Sequence, residues 1–463
     1  MSERPVVIVS NRGPLSFQRD GNGNLVAHRG AGGLVSGLAP LVAGTGALWL
    51  AAAISENDRA AAASGEIVEA GGVRARLLAL DPRAYRMAYD VICNATLWFC
   101  LHGLFDLARR PRIDRRWHEA WDAYRVVNDA FADATAALAP EGAAVLLQDY
   151  HLALVGPRLR ATRPDLATVH FMHTPWCDPD GLRPLPAAAA RELVSAIASN
   201  TASTFHTHRW ADAFGRSHHA FAGEGLPPLV RVSPLGPDAD DLRATALSPE
   251  CDARAEALRE LAGDRKLLVR VDRIELSKNV LRGFHAFDEL LTLHPEWRER
   301  VVFCALLYPS RENLPEYLAY RQEVEGLVER LNAKWATRSW TPILYDAGDD
   351  FPRSIAALRL ADVVLVNPIR DGLNLVAGEA VLVSERDSVL VLSAEAGVHE
   401  LLGDHGAISI NPFDVGETAG ALHTALAMEP AERRRRHDEL LAEVVRRTPR
   451  DWLQDQLDAA AAR

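Results

Sequence analysis

The sequence predicts an α/β protein built of two doubly wound, Rossmann-like domains facing a central cleft. Three observations lead there. The chain has 463 residues, beyond the size at which a single hydrophobic core stops growing, so two domains are expected. Its apolar runs are short and continuous rather than alternating, as strands buried on both faces of a parallel sheet read. Each run leads through a polar turn into a helical pattern, the repeat that makes βα units.

In the first half the strand candidates are "PVVIVSN" (5–11), "AAVLLQDY" (143–150) and "ATVHFMHTP" (167–175). In the second they are "KLLVRVD" (266–272), "RVVFCALLYP" (300–309), "PILYDAG" (342–348), "DVVLVNPI" (362–369) and "SVLVLS" (388–393). Two long helices stand out between them. Trp117, Trp121, Tyr124 and Phe131 recur at helical spacing in 114–138, and Leu314, Tyr317, Leu318, Leu327, Leu331 and Trp335 do so in 314–335. Both stripes are expected to be core. Prolines cluster and periodicity stops in "LPPLVRVSPLGPDADD" (226–241), where a hinge is expected. The domains are therefore placed at 1–235 and 236–445, with a terminal segment from about 446 to 463.

Composition narrows the function. The net charge of −11 argues against a nucleic-acid partner, because phosphate backbones demand basic surfaces, but a local basic cluster still suffices for a small anion. Cys93, Cys100, Cys177, Cys251 and Cys304 form no CxxC pair, so neither a disulfide framework nor a zinc site is expected, and a reducing, cytoplasmic setting fits. The N-terminus lacks a signal-peptide layout. The apolar stretch 38–55 is broken by Pro40, Gly44 and Gly46 and is short of the roughly 20 residues of a spanning helix; it reads as a helix end plus a strand.

Ligands of doubly wound sheets sit at the carboxyl ends of the strands, so the residues there carry the chemistry. "SNRGP" (10–14) puts Arg12 after the first strand, and "GAGGLVSGL" (30–38) follows as a glycine loop opening a helix, which suits an anion. The loop is not GxGxxG, so no dinucleotide fingerprint is predicted. "LQDYHL" places Asp149, and "HFMHTPW" places His173, at two further strand ends. A carboxylate and an imidazole there suit sugar hydroxyls, although a capping Asp and a structural His read equally well. Arg273 and Lys278 lie five apart across the next strand end, and Arg311 in "YPSREN" adds a third cation; a guanidinium and an ammonium suit phosphate oxygens. In "NPIRDGLNLVAGEAVLV" (367–383) a loop opens another helix, with Glu379 two turns in, where a carboxylate suits ribose hydroxyls. The strings "DPD" (178–180) and "DADD" (238–241) resemble metal grips, yet lie in turns where Asp commonly accepts from backbone.

These stretches resemble the trehalose-phosphate synthases, retaining glycosyltransferases of the GT-B fold. The resemblance runs from "VVIVSNRGPL" to "DWLQDQL" through "NATLW", "QDYHL", "HTPW", "VDRIELSKN", "YPSRENL" and "NPIRDGLNLVAGE". It implies transfer of glucose from UDP- or GDP-glucose to glucose 6-phosphate, with retention by front-face attack, no metal or other cofactor, small-molecule partners only, and a homo-oligomer left open. Residue by residue, it places Arg12, Tyr89, Trp98, Asp149 and Arg311 on the acceptor. Gly33, Arg273, Lys278, Asn374, Leu375, Val376 and Glu379 fall on the donor, and His173, Asp149, Arg273, Lys278 and Asp371 at the reacting groups. It also implies that the terminal segment crosses back to the first domain. The chain departs from the family pattern at Gly378 (usually Lys), Leu373 (often Met), Asn279 (often Gly) and "HTPW" (usually HIPF). Asn279 and Trp176 are expected to tune the base or the acceptor. Cyclitol-coupling relatives and non-catalytic sugar-phosphate sensors are the alternative readings.

Overall fold

The computed structural model describes residues 4–30, 33–223 and 229–462. Its contacts divide into two compact units, Met1–Leu235 together with Pro449–Arg463, and Gly236–Thr448.

Unit 1 is built on strands β1 (Val6–Ser10), β4 (Leu48–Ala52), β5 (Val68–Ala70), β6 (Val73–Leu78), β7 (Ala144–Gln148), β8 (Ala167–Met172), β9 (Ala202–Phe205) and β10 (Val230–Val232), with a separate hairpin of β2 (Leu15–Arg19) and β3 (Leu25–Arg29). The sheet order is β10-β9-β8-β7-β1-β4-β6-β5, and the pairs are parallel except β5 with β6. The chain fills one side of β1 first and then returns to its other side at β7, so the switch point lies between β1 and β7. Every residue of β4, β7 and β8 is buried, which is why these runs do not alternate. The 38–55 stretch holds the end of the helix Gly33–Val42 and all of β4. No helix among the described residues is long and apolar enough to cross a membrane. Asp114 caps the helix Arg115–Leu138 by accepting from the Trp117 amide, and Trp117, Trp121, Tyr124 and Phe131 are all buried. The helix Pro449–Ala461 packs on β7 and β8 and buries Trp452 edge-on to Phe171 at 4.9 Å.

Unit 2 carries β11 (Lys266–Ile274), β12 (Val301–Pro309), β13 (Ile343–Asp346), β14 (Val363–Val366), β15 (Val389–Ser393) and β16 (Ile408–Ile410) in the order β13-β12-β11-β14-β15-β16. All pairs are parallel. The switch point here lies between β11 and β14. The helix Pro315–Trp335 buries Tyr317, Leu327 and Leu331, but Leu318 is exposed and Trp335 half-buried. The expected stripe is therefore narrower: Trp335 sits under the Arg298 guanidinium at 4.7 Å and donates to Asp288 at 2.6 Å.

The 226–241 stretch is more ordered than its prolines suggest. Residues 226–228 lie outside the described residues, but Val230–Val232 joins the unit 1 sheet beside β9, and Asp238 caps the helix Ala239–Ala246. All five cysteines are buried free thiols.

Candidate active site

In unit 1 the carboxyl end of β7 delivers Gln148 and then Asp149. Asp149 adopts a left-handed backbone, φ 67°, uncommon for a residue with a side chain, and its amide donates to the Phe171 carbonyl at 2.7 Å. Asp149 Oδ1 accepts from the Thr174 amide at 3.3 Å and from Thr174 Oγ1 at 3.1 Å; Oδ2 lies 3.8 Å from His151 Nδ1. Burial pushes the Asp149 carboxyl above its usual range, with the Thr174 and Tyr150 amides pulling back. His173, past the end of β8, places Nε2 2.9 Å from Gln148 Oε1. Burial, and then the neighbouring His206 and His170, hold its imidazole well below the usual histidine range, so the ring is neutral at pH 7.

The acceptor-side residues are arranged unevenly. Arg12 is exposed beyond β1. Tyr89 lies in a π-helix, Met87–Leu97, stacked on Tyr85 at 5.6 Å and on His151 at 5.7 Å, so it joins the group around Asp149. Trp98 is 2% exposed and stacked on His102 at 4.2 Å; it packs as a core residue with little face left for a sugar. Trp176 departs from expectation. It is fully buried against Phe214, with its indole N–H on Ser217 Oγ at 3.1 Å, so it shapes the core and presents no surface to an acceptor. Gly33 begins the helix Gly33–Val42, while Ala31 and Gly32 of the glycine loop lie outside the described residues.

Unit 2 gathers charge at its strand ends. Lys278 Nζ meets Asp371 Oδ2 at 2.6 Å and Asp272 Oδ1 at 3.5 Å. Asp272 is also held by the fully buried Arg270 at 3.0 Å. Burial alone would weaken the Lys278 ammonium; Asp371 and Asp272 outweigh it and hold the pKa above the usual lysine range. Arg273 Nε and Arg311 Nη1 both reach Glu275 Oε1, at 3.2 and 3.1 Å, and Ser310 Oγ donates to the same oxygen at 2.9 Å. Burial pushes the Glu275 carboxyl up, but Arg273, Arg311 and Lys278 hold it at about 2. The Arg273 side chain stays 47% exposed, leaving a half-open guanidinium on an anchored stem. The three cations are thus paired, not bare. Their partners Asp272 and Glu275 lie in the same "VDRIELSKN" stretch and were not singled out from the sequence.

After β14 the loop turns on Asn374, φ 81°. Asn374 Oδ1 accepts from the Ala377 amide at 3.4 Å, capping the helix Leu375–Val383, and its Nδ2 donates to Asp371 Oδ2 at 3.1 Å. Leu375 and Val376 form the first, half-buried turn, where helix amides point outward. Glu379 follows with no hydrogen-bond partner among the described residues, and burial alone raises its carboxyl to about 7. Gly378 has room: an added Cβ would meet Pro237 at 3.4 Å, an ordinary contact. Asn279 differs from expectation. Its left-handed φ of 59° is one that glycine takes most readily and asparagine tolerates, and its side chain donates to the carbonyls of Asn367 and Pro412 at 3.0 and 2.7 Å. It is 2% exposed, its side chain committed to the backbone around it.

The acidic strings hold structure. Asp178 accepts from Arg216 Nε at 2.7 Å, and Asp238 from the Asp241 amide at 3.1 Å. A further group, His294, Glu296 and His423, brings ligand atoms within 4.8 Å. The two imidazoles stack at 3.7 Å and 10°, so their lone pairs run side by side rather than converging on one ion, and the Trp297 indole donates to His423 Nδ1 at 3.1 Å.

The family profile of glycosyltransferase family 20 matches residues 4–462. A bifunctional trehalose-6-phosphate synthase/phosphatase of Thermoproteus tenax is 33% identical over 392 residues, covering 81% of this chain and 52% of that protein. The chain spans 52% and 61% of the first two curated relatives it matches. Among solved structures, the chain is similar to an alpha,alpha-trehalose-phosphate synthase (UDP-forming) from Burkholderia xenovorans in complex with glucose-6-phosphate, with TM-score 0.85 and 29% identity over 99% of this chain and 100% of that one. It is similar also to a trehalose-6-phosphate structure from E. coli bound with UDP-2-fluoro glucose, with TM-score 0.85 and 26% identity over 99% of each chain.

Proposed function

The chain belongs to glycosyltransferase family 20, and we propose that it moves glucose from a nucleoside diphosphate glucose to glucose 6-phosphate, giving α,α-trehalose 6-phosphate and NDP. UDP-glucose is the first donor in this reading, on the UDP-forming and UDP-sugar-bound relatives, and the cytoplasm its setting, on the buried free thiols. The observation that carries it is the ordered charge at the β11–β14 switch point: Lys278 and Arg273 anchored by Asp371, Asp272 and Glu275, beside Glu379, whose carboxyl burial raises to about 7.

In the proposed step the bond between the donor anomeric carbon and the diphosphate oxygen breaks, and the acceptor anomeric oxygen forms the new bond on the same face. Because the new bond forms on the face that the diphosphate leaves, configuration is retained, and the leaving oxygen takes the acceptor proton. Negative charge grows on the diphosphate; Arg273, Lys278 and the amides of Leu375 and Val376 meet it with groups already oriented, which is the arrangement that lowers such barriers most. Glu379 takes the ribose hydroxyls. Neutral His173 and the Asp149 carboxyl receive sugar hydroxyls, Arg12 and Arg311 the acceptor phosphate, and Tyr89 the acceptor ring. No metal ion takes part.

The test is incubation with UDP-, GDP- and ADP-glucose, each with glucose 6-phosphate, with and without EDTA. NDP release and a trehalose 6-phosphate mass, indifferent to EDTA, are expected. Silence with all three donors overturns the reading, and loss of activity on chelation overturns its metal-free part.

A further inference from the structure

We propose that Gln148 and Thr174 are positioning residues that aim His173 and Asp149 through paired hydrogen bonds between the ends of β7 and β8. The proposal rests on the reading of His173 and Asp149 as sugar-facing groups.

The two strands are parallel neighbours in register, Leu147 beside His170 and Gln148 beside Phe171. Each is followed by or ends in a consecutive pair, Gln148-Asp149 and His173-Thr174, and the bonds join like members side by side: Gln148 to His173 at 2.9 Å, Thr174 to Asp149 at 3.1 Å. Neither supporting residue duplicates its client. Gln148 is 1% exposed, so it touches no sugar. Its carbonyl oxygen calls for an N–H on His173 Nε2, which places the lone pair of the neutral ring on Nδ1. Its amide nitrogen donates to Gln456 Oε1 at 3.4 Å, on the helix Pro449–Ala461, where Gln456 is fully buried. The ring is further confined by Phe171 at 4.7 Å and Trp452 at 5.7 Å. Orientation and tautomer of His173 are thereby tied to the terminal helix.

Thr174 does the matching task for the carboxylate. Its amide and hydroxyl both donate to Oδ1, so Oδ1 is committed, while Oδ2 lies on the His151 side at 3.8 Å from Nδ1. Donation to the ionised form also opposes the burial that raises this carboxyl. Position 174 is where the chain carries "HTPW" in place of the usual HIPF, and only a hydroxyl side chain adds the second donor.

The experiment compares Thr174→Val, Thr174→Ser, Gln148→Leu and Gln148→Glu. Thr174→Val is expected to lower kcat/KM for the acceptor roughly ten- to hundredfold, the scale of a hydrogen bond to a charged group, and to move the acid limb of the pH profile upward. Thr174→Ser restores both. Gln148→Leu is expected to lower kcat about tenfold with NDP affinity unchanged, and Gln148→Glu, which keeps an acceptor opposite Nε2, to preserve the tautomer. Nitrogen-15 spectra of histidine-labelled protein, with His173 assigned by His173→Asn, read that tautomer without turnover: Nε2–H in the wild type and in Gln148→Glu, a mixture in Gln148→Leu. An inactive wild type would sink the proposed reaction yet leave the nitrogen spectra to judge Gln148. An unmoved pH profile in Thr174→Val, or one His173 tautomer throughout the Gln148 series, overturns the positioning roles.

Discussion

The carboxyl ends of the two sheets handle burial in opposite ways. At unit 1 burial suppresses charge: His170 is held at about 4, His206 at about 3 and His173 well below its usual value, while Asp149 is pushed up. At unit 2 pairing keeps Lys278 protonated and Glu275 ionised despite burial, although burial still pushes the Asp272 and Glu379 carboxyls up. Both start from the same doubly wound architecture and the same kind of switch point. The difference lies in what fills the strand ends: hydroxyl, amide and imidazole groups in one unit, interlocked cations and carboxylates in the other. A neutral, hydrogen-bonding surface suits sugar hydroxyls. An anchored charged one suits a diphosphate, since its groups need not reorganise as charge develops.

The sharpest way to break that comparison is to remove one cation at a time. Lys278→Ala is expected to slow NDP release by roughly two to three orders of magnitude. It also takes the shared cation from Asp371 and Asp272; because Arg270 still holds Asp272 and Asn374 still holds Asp371, the stability loss should fall near ~3 kcal/mol, the low end for breaking a buried pair. Arg273→Ala should separate the two effects. Glu275 keeps Arg311 and Ser310, and Arg273 is itself half-exposed, so stability should fall by less than about 1 kcal/mol while the rate falls roughly a hundredfold. Urea melts and single-turnover rates for both variants check this. An Arg273→Ala protein with wild-type turnover would leave unit 2 with a merely structural network.

A second test uses pH. Glu379 sits at about 7 in the folded protein against 4.5 when free. Its folded pKa is raised, so the folded state holds the proton more tightly, and this contribution to stability is greatest below about pH 4.5 and is lost as pH rises through 7. Ribose hydroxyls need an acceptor, so binding favours the ionised form and runs the other way. UDP affinity should rise about tenfold between pH 6 and 8, and calorimetry on Glu379→Gln, which cancels the ligand's own titration, should show that rise gone. A slope shared by both proteins would remove the ribose role.

Much of this was legible in the residues, and the failures share one cause. Strands such as β7 and β14 announced themselves because burial on both faces leaves an unbroken apolar run, and the strand ends followed. What single residues face was not legible. Trp98 and Trp176 sit in motifs that otherwise carry the site, yet both point into the core. Glu275 and Gln148 were in plain view, but a carboxylate's pairing with Arg311, or a glutamine's with His173, depends on which strands the sheet makes neighbours. The hairpin of β2 and β3 was missed, as were β5, β6, β9, β10 and β16, because their short or mixed sequences lack the apolar run that marked the strands read from the sequence.

The smallest expected effect concerns Asn279, where the comparison between the units narrows to backbone. Its left-handed φ explains why glycine suits the position, while its side chain satisfies two buried carbonyls. Asn279→Gly relieves the backbone and forfeits those bonds. Each neutral bond nets about 1 kcal/mol, and glycine recovers only a few tenths of that while adding unfolded-state entropy, so the variant should lose about 1–2 kcal/mol. Donor choice should not change, because the residue is sealed beneath the loop it braces. Thermal melts alongside a UDP-glucose and GDP-glucose panel decide it: a stable variant with altered donor preference would make Asn279 a reader of the base and overturn the structural role drawn from its burial.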